Sequence, residues 1–152
     1  MASDDSYARL ADRLAIQDLR YRYCYLIDDV DLDVLPELFT EDVSLDYGGM
    51  GTYEGHEGVA AFADFVESEL ERTTHLVTNS LIDVDGDRAT GRHYVISSIT
   101  YADGTGGWRI GQYVDEYRCV DGEWLISDGR MRFTHSMDYD PESGWPDFTP
   151  HR

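Results

Sequence analysis

The chemistry of this chain starts from one imidazole and one carboxylate. His75 stands in Thr73-Thr74-His75-Leu76-Val77-Thr78-Asn79, at the head of a run that reads as a strand. An acidic cluster, Ile27-Asp28-Asp29, stands where a long helical pattern ends. A neutral imidazole is a competent base because its ordinary pKa lies near working pH, and a carboxylate on its other nitrogen fixes the tautomer and stabilises the imidazolium. Such a base contributes a factor of about 10² to 10⁴ to a rate. Carboxylates at a helix C-terminus face the negative end of the macrodipole, so their placement there needs a reason. Asp31 has one as the cap of a following helix, whereas Asp28 has none in local structure.

The elements that would carry these groups follow in order. Leu10, Leu14, Leu19, Tyr23, Leu26 and Ile27 recur at three- and four-residue steps, which predicts a helix from about Ser6 to Asp28. Leu32 to Phe39 reads as a short second helix, Glu41 to Tyr47 as a first strand, and Gly55 to Glu71 as a third helix. Four long strands then follow, at 75–84, 88–101, 108–120 and 123–134, separated by turns such as Asp85-Gly86-Asp87 and Asp121-Gly122. The expected fold class is α+β: helices packed on one face of a strongly curved antiparallel sheet, enclosing an apolar cup suited to a small ligand. One domain is expected over residues 1–136, with 137–152 an irregular tail, either draped over the domain by Trp145 and Phe148 or disordered.

The 152 residues carry 31 acidic and 12 basic side chains, a net charge of −19, and every basic residue is Arg. A surface this negative repels phosphate backbones and anionic lipid, so neither nucleic acid nor membrane is an expected partner. Asp-rich, Lys-free composition is that of proteins from high-salt cytoplasm, or of a high-GC bacterium whose codons replace Lys with Arg. A hydrophobic content of 41% excludes intrinsic disorder. Cys24 and Cys119 lack disulfide or zinc spacing and read as small core residues. The N-terminus has no basic region followed by an apolar run, and the expected location is the cytoplasm.

The order of elements, with Leu14-Ala15-Ile16-Gln17-Asp18-Leu19 in the first helix and Asp121-Gly122-Glu123-Trp124 before the last strand, resembles the SnoaL-like branch of the NTF2-like superfamily. The resemblance covers roughly Leu10 to Phe133 and implies a cone-shaped α+β barrel. That superfamily includes scytalone dehydratase, hexachlorocyclohexane dehydrochlorinase, bile acid 7α-dehydratase, ketosteroid isomerase and polyketide cyclases, so fold alone does not name a reaction. In the dehydratases and the dehydrochlorinase an Asp at the end of the first helix orients a His at the start of a strand. Asp28 and His75 match those two positions. Tyr23 matches a Tyr of the bile acid dehydratase, where the dehydrochlorinase has Lys, and Tyr47 resembles the Asp-Tyr end of a scytalone dehydratase strand. The basic strand residue of the dehydrochlorinase falls on Glu116, and a second His of scytalone dehydratase falls on Ile99.

The resemblance therefore implies a cofactor-independent lyase in which His75 takes a proton, Asp28 orients it, and Tyr23 or Tyr47 polarises a carbonyl or assists departure of water. A phenol has an ordinary pKa near 10 and stays protonated for that task. No metal or cofactor is required. The expected ligand is a small, largely apolar cyclic compound. His93 is a candidate substrate-binding residue, although a two-residue period leaves open whether it faces the cup or the outer surface. His56 reads as a surface loop residue, and His135, Arg130 and Arg132 as partners of nearby carboxylates. Isomerase or cyclase chemistry, and a non-catalytic binding or structural role, remain alternatives on the same fold. The dehydratase relatives assemble as trimers through the outer sheet face, which implies a homo-oligomer, trimer before dimer.

Overall fold

The computed structural model describes residues 4–139, 142 and 147–150. Helix α1 (Asp4–Asp29) runs the length of the domain and buries Ile16, Leu19, Tyr23 and Ile27 at the helical spacing that the sequence shows. Leu10 and Leu14, expected on the same stripe, are both 53% exposed, because the buried face begins only at Ile16. The expected second helix is a single 3₁₀ turn, Leu35–Leu38, with no side-chain cap, so Asp31 does not cap it. Pro36 supplies no N–H for an α-helical bond, and pairing with a distant strand claims the chain from Phe39 onward. Strands β1 (Phe39–Asp46) and β2 (Thr52–Glu54) lead into helix α2 (Gly55–Glu69), which buries Val59, Phe62 and Val66.

The remaining chain is a meander of β3 (Leu70–Asp85), β4 (Arg88–Tyr101), β5 (Gly106–Val120) and β6 (Glu123–Tyr139). The sheet order is β2-β1-β6-β5-β4-β3. It is mixed rather than wholly antiparallel, since β1 lies parallel to β6 with Leu45 opposite Gly129. That pair joins residues more than eighty positions apart, beyond the reach of local turn chemistry. Residues from 137 onward are not simply an irregular tail: β6 continues to Tyr139, and a short strand β7 (Asp147–Pro150) pairs antiparallel with its end. The expected draping of Trp145 and Phe148 concerns side chains outside the described residues.

Odd-numbered residues of β4 and β5 face inward against α1 and α2, and the core sits between sheet and helices. A fully buried ion pair lies at its centre, with Arg20 Nη2 2.6 Å from Asp115 Oδ2. The guanidinium is stacked over the rings of Tyr23 and Tyr113, at 4.7 and 4.3 Å. Burial works against the Arg20 charge, but Asp115 and the surrounding phenols hold its pKa well above the usual value. Burial pushes the Asp115 carboxyl up, against the pull of Arg20 and of the Tyr117 hydroxyl. A buried pair is costly to assemble and costlier to break. Asp115→Ala, which strands the cation, is expected to lower stability by about 3–5 kcal/mol in urea denaturation, and Arg20→Met with Asp115→Leu to recover most of that. A single-variant loss within 1 kcal/mol would show that the pair does not hold the core.

Candidate active site

Helix α1 ends by reversing at Val30, where φ is 56°, and the Asp31 N–H returns to the Leu26 carbonyl at 3.0 Å. A β-branched residue in that region is strained, so the helix stops where packing requires rather than where its own sequence prefers. The stop leaves Asp28 in the last turn, facing the edge strand β3. Asp28 Oδ2 accepts the backbone N–H of His75 at 2.8 Å, and Oδ1 accepts from Nδ1 of the same residue at 2.7 Å. One carboxylate thus fixes both the strand and the ring. Because a carboxylate only accepts, the proton lies on Nδ1 and Nε2 carries the free lone pair. The His75 side chain is 8% exposed and that of Asp28 16%, so the pair is shielded but not sealed.

His75 separates two spaces. Outside lies a groove of about 540 Å³ between α1 and β3, lined by Tyr21, Cys24, Tyr25 and Asp28 among others. Inside lies the apolar cup, walled by Ile27, Met50, Phe62, Phe65, Met131 and Phe133, with a volume of about 20 Å³. His75 borders both spaces, while Asp28, which holds its Nδ1, borders only the groove. Burial pushes the Cys24 thiol up to about 12, which keeps it an inert, protonated wall of the groove.

Tyr23 borders the cup together with His75 and is 1% exposed. Burial pushes its phenol well above its ordinary value, so it can donate a hydrogen bond without ionising. Tyr47 does not border the cup: it is fully buried behind Tyr23, with ring centroids 6.5 Å apart, and its pKa is pushed up by burial to about 12. Tyr23 and Asp28 do not flank a common mouth, since one faces the cup and the other the groove. Ile99 lines the cup, and Glu116 is exposed on the outer face of β5. His56 is exposed in the first turn of α2, with Nε2 3.0 Å from the Phe39 carbonyl.

His93 faces inward but reaches neither space. Its Nε2 lies 3.0 Å from the Tyr117 hydroxyl, which donates to Asp115 Oδ2 at 2.8 Å, and its Nδ1 lies 2.8 Å from Ser80 Oγ. Since Tyr117 spends its proton on Asp115, His93 donates from Nε2 and accepts from Ser80 at Nδ1. Both nitrogens are engaged, so His93 serves the core and not a substrate. Gly91 makes the room, because a Cβ there would sit 2.8 Å from both His93 Nε2 and the Tyr117 ring. Arg20, Asp115 and Tyr117 were not legible as partners in the sequence. The available signal was an Arg at helical spacing among buried apolar residues, three positions before Tyr23.

A curved sheet closed by two helices around an apolar cup, with a His–Asp pair at its border, defines a cone-shaped α+β fold of the NTF2-like type. The chain belongs to the SnoaL-like domain family, whose sequence pattern matches residues 8–130. Hexachlorocyclohexane dehydrochlorinase 1 of Sphingobium indicum is 31% identical over 122 residues, which are 78% of this chain and 79% of that protein. An uncharacterized protein of Mycobacterium tuberculosis is 31% identical over 98 residues, 64% of this chain and 67% of its own length. Among solved structures, a type 2 hexachlorocyclohexane dehydrochlorinase superimposes with a TM-score of 0.81 at 26% identity, covering 88% of this chain and 92% of that one. A scytalone dehydratase-like protein of Novosphingobium aromaticivorans gives 0.80 at 26% identity, over 91% and 94%. No described helix is long and apolar enough to cross a membrane.

Burial, with a smaller contribution from Arg20, lowers the His93 pKa to about 3. Unfolded, His93 binds a proton below its ordinary value near 6.5; folded, it does so only near 3. Unfolding therefore takes up a proton between those pH values, and the His93 contribution is full above pH 6.5 and lost progressively toward pH 3. The slope of unfolding free energy against pH should fall in His93→Gln by up to about 1.4 kcal/mol per pH unit in that window. Identical slopes for both proteins in urea titrations would refute a neutral His93.

Proposed function

We propose that this protein is a cofactor-independent lyase that removes water from a small, largely apolar cyclic compound. The observation that carries the proposal is the Asp28–His75 contact of 2.7 Å, which holds Nδ1 of a histidine that borders the cup. In the proposed reaction Nε2 takes a proton from carbon beside a carbonyl, and the C–H pair becomes the new double bond as the C–O bond breaks. The imidazolium returns its proton to the departing oxygen, so substrate yields alkene and water with nothing else consumed. Asp28 holds the tautomer and offsets the positive charge. Tyr23 donates to the carbonyl oxygen as it gains charge, and Tyr47 braces the Tyr23 ring. Supporting this reading over halide elimination, the strand residue matched to the dehydrochlorinase's basic group is Glu116, and it points away from the cup.

One observation favours a second reading, a non-catalytic binding or structural role: a cup of about 20 Å³ holds roughly one water and no ring. Admission of a ring requires Met50, Met131 and Phe133 to repack, which the flexible methionines can do. An isomerase or cyclase would use the same base without a leaving group. The readings separate in an assay of neutral cyclic β-hydroxy ketones. His75→Ala should lose at least about 10²-fold in turnover with its circular dichroism unchanged, and Asp28→Asn, which loses the fixed tautomer, a comparable factor. Full activity in His75→Ala would remove the assignment, and an inactive wild type would favour the structural role.

We also infer a homo-oligomer, trimer before dimer, assembled through the outer sheet face. Leu76, Tyr94, Trp108 and Ile110 are exposed there, and the register sets Leu76, Ile96 and Ile110 on one rung across three strands. Light scattering should give a multiple of the 17.3 kDa chain mass that Ile110→Glu reduces. A monomer at high concentration would exclude the assembly.

A further inference from the structure

The wall of the cup that carries His75 also carries two hydroxyls that the proposed reaction leaves unused. Thr73 precedes His75 by two residues on β3, so period two sets both on the inner face. Ser97 lies directly opposite His75 in the β3–β4 register. All three border the cup, and the rest of its lining, Tyr23 apart, is apolar.

Thr73 is the informative member. The residue is 5% exposed, and its Oγ1 has no hydrogen-bond partner. A buried hydroxyl without a partner weakens a fold, and Val would fill the same volume on a strand without that penalty. The hydroxyl therefore does nothing for the fold. A group that weakens the core while bordering a ligand cup beside the base is placed for what the cup receives. No Asp, Glu, Arg or Lys borders the cup, so a charged guest would enter without a counter-charge.

We propose that Thr73 and Ser97 form a hydroxyl-lined subsite beside His75 that receives the oxygen of a neutral, oxygenated ring compound. The hydroxyls select for oxygen and the surrounding methionines and phenylalanines for the apolar ring. The proposal rests on the cup being a ligand site, as in the lyase reading, but not on turnover.

Two probes of one skeleton test it: 2-tetralone, which carries an oxygen, and tetralin, which does not. Binding is followed by NMR titration of the methyl groups of Thr73, Met50 and Met131. Wild type should prefer 2-tetralone, and Thr73→Val should lose roughly five- to tenfold in affinity for it while changing tetralin less than twofold. Ser97→Ala should lose affinity in the same sense. Melting of Thr73→Val should be unchanged or higher, whereas a hydroxyl that served the fold would leave the variant melting lower. Equal affinity for both probes, equal losses for both, no binding of either, or a lowered melting temperature overturns the subsite. A wild type that prefers 2-tetralone but turns over no hydroxy ketone removes the lyase reading and keeps the subsite. Turnover that is indifferent to Thr73→Val and Ser97→Ala, with no preference between the probes, removes the subsite alone.

Discussion

The Asp28 carboxylate ties the end of the long helix to the edge of the sheet. The sheet ends in an edge strand, β3, whose outward N–H groups need partners, and α1 ends where its own dipole disfavours an acid. Asp28 answers both by accepting the His75 N–H with one oxygen and Nδ1 with the other. The geometry of the imidazole is therefore inherited from the packing of helix against strand. Any shift of α1 along β3 would separate the Asp28 carboxylate from the His75 ring together with the contact that holds the edge. The strained reversal at Val30 follows immediately after, and it keeps the helix from extending past the strand it clamps.

The interior has two ends of opposite character. Around His75 and Tyr23 the cup is lined by Met and Phe, where any group of fixed polarity stands out. Farther in, Ser80, His93, Tyr117, Asp115 and Arg20 form one chain of donors and acceptors with an ion pair at its end. The two ends meet at Tyr23, whose ring is a wall of the cup on one side and a stacking surface for Arg20 on the other. That arrangement holds the phenol in place through its ring. Two histidines thus lie on inward faces of neighbouring strands with opposite fates. His75 has one nitrogen bound and one free, whereas His93 has both bound and is held neutral far below its ordinary pKa.

Much of this was legible from residue types. The 3.6-residue recurrence in α1 and the Asp-Gly turns of the meander are local signals, and they place His75 on a strand and Asp28 at a helix end. The acidic helix end violates a helix rule, and such violations concentrate where a residue serves something other than its own element. Leu10 and Leu14 show the limit of periodicity: an apolar stripe says which face is buried, not where along the helix the sheet begins to cover it. The 3₁₀ turn at Leu35–Leu38 marks a second limit, since strand pairing overrode a weak helical preference.

By itself the sequence determined the class of fold, the long helix, the meander and the acidic composition, because each follows from spacing, turn chemistry or composition within one element, while Asp28 and His75 were singled out as a pair by the family resemblance. Only the tertiary structure decided which residues meet. The parallel pairing of β1 with β6, the descent of Arg20 onto Asp115, the withdrawal of His93 and Tyr47 from the cup, and the place of Thr73 beside His75 all depend on strand register and on the depth at which α1 crosses the sheet. Period two tells only that a residue faces one side or the other. Whether that side is a cup or a sealed core is settled by what packs against it, and that partner lies elsewhere in the chain.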